Sequence, residues 1–543
     1  MSPGAWNPGL ESPVPESLRA LCTNHRPENV STPVQAAREL RDLTGLDIAE
    51  LVAFRPQRLA LHELLIRVTA NVFVPDGERI GDLGVNFRRL TGALLAGYVE
   101  PRMGAIESTY VAVRQKALKA AQQGMDEAFG ARDPGAVIAK WGKDPVHRAM
   151  SRVASAIIVR HGRLWGPRDV LASLAADMAG NEAGSDAIGA LIEPWVLEGA
   201  RREGYKILPR QDAPVVMNTK GASASGKSTL RPLQRALAPE IGADWTDFSL
   251  VSPDIWRKQL LDYDSLGEHF RYAGPFTGEE LRIVDLKLDR YMAEKAARGQ
   301  MSHLLIDRFR FDSFAPDSDE AGSNLLTRFG RTVYLFFMIT PPGSLVERAW
   351  VRGLEFGRYK AVEDTLAHGV EAYSGMGQIF TTWVRRRDKR VHFEFLDNTV
   401  ALGERPRTVA FGWNEILRVL DVKSLIDVER FRRVNVDART PGELWRDSSE
   451  LVPGRNTAFL AQCMKEFREV QFVEQATGRV YLQVSNGTPA WVDRGIFEEV
   501  TRDFDTRSGL QAVAPGAFLP SVPLRPAVVL GAEERRHTLG QWG

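Results

Sequence analysis

The run Gly221-Ala222-Ser223-Ala224-Ser225-Gly226-Lys227-Ser228-Thr229 contains an unbroken G-x-x-x-x-G-K-S. Glycines at those positions let the backbone curl into a nest of N–H groups around phosphates, and a following helix N-terminus adds its positive dipole. Lys227 then reaches the β- and γ-phosphates, and the Ser228 hydroxyl ligates Mg²⁺. A glycine-rich turn without a ligand is the bland alternative. The context weighs against it: the apolar run PVVMNT precedes the loop, and Leu230, Leu233 and Leu237 follow on one face of a helix. Pro232 falls inside the first two turns of that helix, where it is expected to cost a backbone hydrogen bond. The loop predicts binding of ATP and Mg²⁺ but does not choose a reaction. That choice rests on Ser252-Pro253-Asp254-Ile255-Trp256-Arg257-Lys258, past the second strand-like run. In a doubly wound sheet the carboxyl ends of adjacent strands face one crevice, so Asp254 would stand opposite the γ-phosphate as a general base for a hydroxyl. Ser252 as N-cap, Pro253 at the first helical position and Asp254 after it also suit a plain helix start. Spacing alone leaves both readings open.

For these residues to meet, the chain must build a parallel sheet. Between 207 and 410 the apolar runs PVVMNT, DWTDFSLV, SHLLIDR, RTVYLFFMIT and RVHFEFLD alternate with helical patterns. This predicts an α/β domain with a P-loop NTPase-type, doubly wound, mostly parallel sheet. The clearest helix, 278–298, has Thr277 and Glu280 as a capping box, Leu281, Val284, Leu288 and Met292 as a stripe, and Gly299 at its end. Upstream, 31–206 reads as an all-α domain, opening on a capping box at Thr32 and Gln35 and a first stripe that ends at Gly45. A polar, proline-bearing linker at 207–214 joins the two. Residues 1–30 read as a flexible leader. Beyond the α/β domain, 411–510 reads as a small mixed α+β region. It has short helices over 411–470 and one hairpin that turns at 476–478, and 511–543 reads as an irregular tail.

Asp254-Ile255-Trp256-Arg257 resembles the Asp-x-Phe-Arg/Lys signature of the zeta toxin kinases. His269-Phe270-Arg271, Tyr272 and Pro275 ahead of the capped helix extend the likeness, which covers about 215–400 and takes in the Avr-Rxo type of effector kinase. The resemblance implies ATP-dependent transfer of the γ-phosphate to a hydroxyl of a small nucleotide-linked acceptor, with Asp254 as base. The acceptor is a UDP-sugar in the zeta enzymes and NAD in the Avr-Rxo type. It also implies a toxin or effector role and leaves room for an antitoxin or chaperone partner. Lid arginines are implied after Pro341-Pro342. Arg348 and Arg358 are expected to clamp the transferring phosphoryl group, while a solvated helix face is the alternative and suits Arg352 better. Asp307, ending Leu304-Leu305-Ile306, resembles a Walker B aspartate near Mg²⁺; a strand-end turn carboxylate is the other reading. No glutamate follows it, which disfavours an efficient ATPase. Asp397-Asn398 would flank adenine or simply form a turn.

Composition narrows the remaining classes. Seventy lysines plus arginines face 69 aspartates plus glutamates, so the net charge of +1 gives no support to whole-surface nucleic-acid binding. Nucleic acid is not an expected partner, although Arg385-Arg386-Arg387-Asp388-Lys389-Arg390 would serve the alternative of a polynucleotide 5′-hydroxyl kinase. A second alternative is a nucleotide-gated switch without turnover. Cys22 and Cys463 are too far apart in sequence for a disulfide framework, which fits a reducing, cytoplasmic compartment unless the chain is exported as an effector. No apolar run reaches the roughly 18 residues of a membrane span. His62-Glu63 opens like a zinc-protease motif, but Ile66 stands where the second histidine belongs.

Overall fold

A computed structural model of the chain describes residues 3–7, 9, 14–79, 81–308, 325–401 and 403–542. The five sequence-predicted strands form β1 (Val215–Lys220), β2 (Phe248–Val251), β3 (His303–Asp307), β4 (Thr332–Ile339) and β5 (Arg390–Asp397). They lie parallel in the order β2-β3-β1-β4-β5, so the central strand β1 is flanked by strands that return to it through crossovers. Side-chain alternation puts helices on both faces. Along β4, Val333, Leu335, Phe337 and Ile339 join a core with helix Val362–Val384, while Tyr334, Phe336 and Met338 join another with helix Gly278–Ala297.

The parallel half is only part of the sheet. β6 (Arg407–Trp413) pairs antiparallel with β5 and runs across the boundary expected at 410. The sheet continues through β7 (Ile416–Val419), β8 (Glu469–Glu474), β9 (Arg479–Ser485) and β10 (Thr488–Val492). The β8–β9 hairpin forms where the sequence places it. β6 and β7 escaped notice because their buried runs are short and broken by Gly412 and Asn414.

Capping differs from expectation at two helix starts. Thr32 accepts from the Ala53 amide instead of capping helix Val34–Thr44. Thr277 and Glu280 form no box, since both side chains are engaged by arginines from other elements. Pro232 costs less than expected. The residues after the loop are a 3₁₀ turn, Lys227–Leu230, and the α-helix begins only at Arg231, which places the proline in a first turn that has no intrahelical acceptor.

Described residues near both ends pack against the α/β region. Residues 16–21 and 23–25 form 3₁₀ helices, with Cys22 packed near Leu261, Tyr263 and Phe276. At the other end, Glu394, fully buried on β5, accepts the Leu539 amide at 2.7 Å, the Gly540 amide at 2.9 Å and the Thr408 hydroxyl at 2.8 Å. Burial raises this carboxyl to about 7 in spite of those donors. Ending the chain at 535 strips two donors from a buried acid, each worth about 1–3 kcal/mol. The truncated protein should melt at least roughly 5 °C lower by calorimetry; an unchanged transition would mean that the tail is not part of the fold.

Candidate active site

The loop at 221–226 leaves the carboxyl end of β1 and turns into the 231–240 helix. Two of its glycines are needed as such. A Cβ on Gly221 would lie 2.7 Å from Ser225 Oγ, and Gly226 has φ 91° with Asn398 Nδ2 where a side chain would go. The loop is braced from β4 and β5: Asn398 Nδ2 donates to the Ser225 carbonyl at 2.7 Å and Thr340 Oγ1 does so at 3.2 Å. Thr229 Oγ1 donates to the Gly226 carbonyl at 2.6 Å. Ala224 itself has φ 63°, so the arc of the loop is held open by context instead of by residue preference.

Lys227 folds back over this arc, donating from Nζ to the carbonyls of Ala222 at 3.0 Å and Gly221 at 3.2 Å. Burial lowers its pKa, Asp307 opposing and Arg352 adding to the effect. Ser228 Oγ donates to Asp307 Oδ2 at 2.7 Å. Asp307 is 11% exposed and also faces Arg231 at 3.7 Å. The register pairs Thr219 of β1 with Asp307 of β3, which is why a strand-end carboxylate and the loop hydroxyl meet. A hydroxyl and one carboxylate are a donor set that suits Mg²⁺, whose remaining positions go to phosphate oxygens and water. Among the described residues, no cluster of three or more His, Cys, Asp or Glu could hold a metal alone.

Asp254 lies at the head of the 3₁₀ turn Pro253–Trp256 that follows β2. Neither it nor Ser252 caps that turn. Its carboxylate is taken by Arg257 Nε at 2.8 Å and by a close contact with Arg358. Burial alone would raise this carboxyl, but Arg358, Arg257 and Arg352 outweigh it and hold it well below the usual carboxylate range. Arg257 is fixed in turn by the Gly274 carbonyl at 2.6 Å and the Thr277 hydroxyl at 2.7 Å. Backbone pairing of Gly274 with Gly357 at 2.8 Å and of Tyr359 with Arg271 at 3.1 Å brings Arg358 over the carboxylate.

Two sequence expectations change here. Arg348 does not join the cluster: it donates to the carbonyls of Asn398 at 2.8 Å and Val400 at 3.2 Å, and so shapes the segment after β5. Arg352, one helical turn further on, reaches the 221–226 loop instead, donating to Ser223 Oγ at 3.2 Å and the Arg358 carbonyl at 3.2 Å. Burial and then Arg358 lower Arg352 to about 9, so it stays a cation at neutrality.

Lys360 had no signal in the sequence beyond its place two residues after Arg358. Burial, with Arg352, Lys227 and Arg257 nearby and Asp364 opposing, brings it to about 7, and its Nζ lies 3.2 Å from His368 Nε2. Asp397 forms a turn, accepting the Thr399 amide at 2.9 Å and pairing with Arg407. Within the basic run at 385–390, Arg385 pairs with Glu466, Arg386 with Asp388, and Lys389 donates to the carbonyls of Arg328 and Gly330. It also precedes β5, at the end of the parallel strands opposite the loop, so a strand length of about 25 Å separates it from the site. His62 and Glu63 are buried in hydrogen bonds to Glu280, Ser185 and Arg67.

No family model matches the chain, and no curated protein matches it. Among solved structures, a chain from the PezAT chromosomal toxin–antitoxin system of the human pathogen Streptococcus pneumoniae is similar at 15% identity and a TM-score of 0.24. That match covers 36% of this chain and 76% of the other. No helix among the described residues is long and apolar enough to cross a membrane.

Proposed function

We propose that the chain is an ATP-dependent phosphotransferase acting on an alcohol group of a small nucleotide-linked metabolite. One observation carries this reading: a carboxylate, Asp254, is bonded to Arg257 and Arg358 and lies within electrostatic reach of Lys227 and of Arg352, which donates to Ser223 of the phosphate-type loop. A nucleotide switch has no use for a carboxylate there, and no glutamate follows Asp307 in the sequence to orient water for an ATPase. In the proposed reaction the acceptor hydroxyl attacks the γ-phosphorus, its proton passes to Asp254, and the bond to the β-phosphate oxygen breaks to leave ADP. Arg352 and Arg358 neutralise charge on the transferring group, and Lys227 spans the β- and γ-phosphates. Ser228 and Asp307 would hold Mg²⁺, which supplies charge neutralisation on the phosphates. The nucleotide-linked acceptor class, and with it a toxin or effector role, follows from the likeness of Asp254–Arg257 to the zeta signature. Placement of the 385–390 run at the far end of the sheet speaks against a polynucleotide acceptor.

ADP formation in the presence and absence of a deproteinised small-molecule extract tests the reading. Extract should raise turnover at least tenfold over buffer (about 1.4 kcal/mol of barrier). Equal rates with and without extract would point to hydrolysis or to a switch.

A further inference from the structure

We propose that the N-terminal helical region forms part of the active-site wall, and that Arg58 on helix Pro56–Asn71 is a positioning residue for Asp254. The proposal rests on the kinase reading above. Helix 56–71 is buried almost all round: its apolar residues share a core with β2 and helix 278–297, and Arg58, His62 and Thr69 add hydrogen bonds to those elements. Arg58 donates to Glu280 Oε2 at 2.7 Å and to the Leu260 carbonyl at 2.6 Å. Both partners belong to elements that hold Arg257 against Asp254. Leu260 ends the short helix Arg257–Leu260, whose first residue donates to Asp254. Glu280 lies in the first turn of helix 278–297, three residues after Thr277. The Thr277 hydroxyl accepts from Arg257 at 2.7 Å and donates to the Gly274 carbonyl at 2.9 Å.

Glu280 is fully buried and is also met by His62 Nε2 at 2.7 Å. Burial alone would raise its carboxyl, but Arg58 and His62 outweigh it and keep the acid ionised. Further ties run to the same segment. Trp256 Nε1 donates to Thr69 Oγ1 at 3.2 Å, Ser249 Oγ to the Thr69 carbonyl at 2.7 Å, and Gln259 Nε2 to the Arg88 carbonyl at 3.2 Å. The β2 strand, the turn bearing Asp254 and the helix after it are therefore all hydrogen-bonded to N-terminal helices. Apolar packing would stabilise such an interface as well as a buried ion pair does. Directional bonds add a fixed geometry, and a displacement of about 1 Å at a reacting group can cost about 10²-fold in rate.

Arg58→Lys, which keeps the charge but loses the fork, Thr277→Val and Thr277→Ser test the proposal by steady-state transfer kinetics, with amide hydrogen exchange over 253–261 measured in parallel. Arg58→Lys and Thr277→Val should lower kcat about 10–100-fold with the KM for ATP within about threefold of wild type, and Thr277→Ser should restore kcat. Exchange over 253–261 should quicken in Arg58→Lys and not over 231–240. If Arg58→Lys keeps wild-type kcat, or if Thr277→Ser falls as far as Thr277→Val, the proposal is overturned. A wild-type protein that transfers no phosphate would defeat the kinase reading instead. The exchange data would then decide alone: unchanged protection of 253–261 in Arg58→Lys overturns the positioning role, and selective loss of protection supports it.

Discussion

Asp254→Asn should leave ATP affinity within a few-fold of wild type while transfer to the acceptor falls about 10²–10⁴-fold, the usual cost of a lost general base. Asparagine matches the aspartate in size and can still accept a hydrogen bond from Arg257, which keeps its contacts with the Gly274 carbonyl and the Thr277 hydroxyl. Although its carboxyl is partly desolvated, the Asp254 side chain as a whole is 41% exposed, so loss of its ion pairs should shift the melting temperature little. The pH dependence gives a second test. Arg358, Arg257 and Arg352 hold this carboxyl well below the usual range against the opposing effect of burial. A base fails when it is protonated, so kcat/KM should stay flat on the acid side until below about pH 4, the ordinary aspartate value. A carboxylate this acidic is a weak base. That suits a loose transition state, in which positioning and charge neutralisation do most of the catalysis and the proton leaves late. If the variant transfers within a few-fold of wild type, Asp254 is an anchor for two arginines, and Asp307 becomes the next candidate.

Lys227→Ala should weaken ATP binding about 100-fold or more. The ammonium already sits at the mouth of the loop, on the carbonyls of Gly221 and Ala222, where phosphate oxygens would replace those weak acceptors. Two charge-assisted hydrogen bonds at about 1.5 kcal/mol or more each account for that loss. The fold should persist, since burial disfavours the lysine's charge and the loop is held by Asn398 and Thr340 instead. Titration calorimetry decides: affinity equal to wild type would remove the loop from nucleotide binding.

The loop, Asp254 and Asp307 were legible because each sits at a strand end in a run whose local pattern is self-sufficient. Their meeting follows from parallel register, which short buried strands encode well. The division of labour among the arginines was not legible. Arg348 and Arg352 share one helix, and only the tertiary positions of Asn398 and Ser223 determine which of them turns toward the loop. Lys360 was invisible for the same reason, as its neighbours come from four separate segments. The capping box assigned to Thr277 and Glu280 was a correct pattern with a different use, because Arg257 and Arg58 compete for those side chains and win. β6 and β7 were not legible because Gly412 and Asn414 interrupt their apolar pattern with turn-type residues.

The most direct test is to incubate the protein with ATP, Mg²⁺ and a cellular metabolite extract, and to compare the small molecules before and after by mass spectrometry. One nucleotide-linked species should be depleted while its mono-phosphorylated form appears in step with ADP, and neither change should occur with Asp254→Asn. ADP accumulating with no metabolite gaining a phosphate, or the same product appearing at the same rate with Asp254→Asn, would contradict transfer to an acceptor hydroxyl through Asp254.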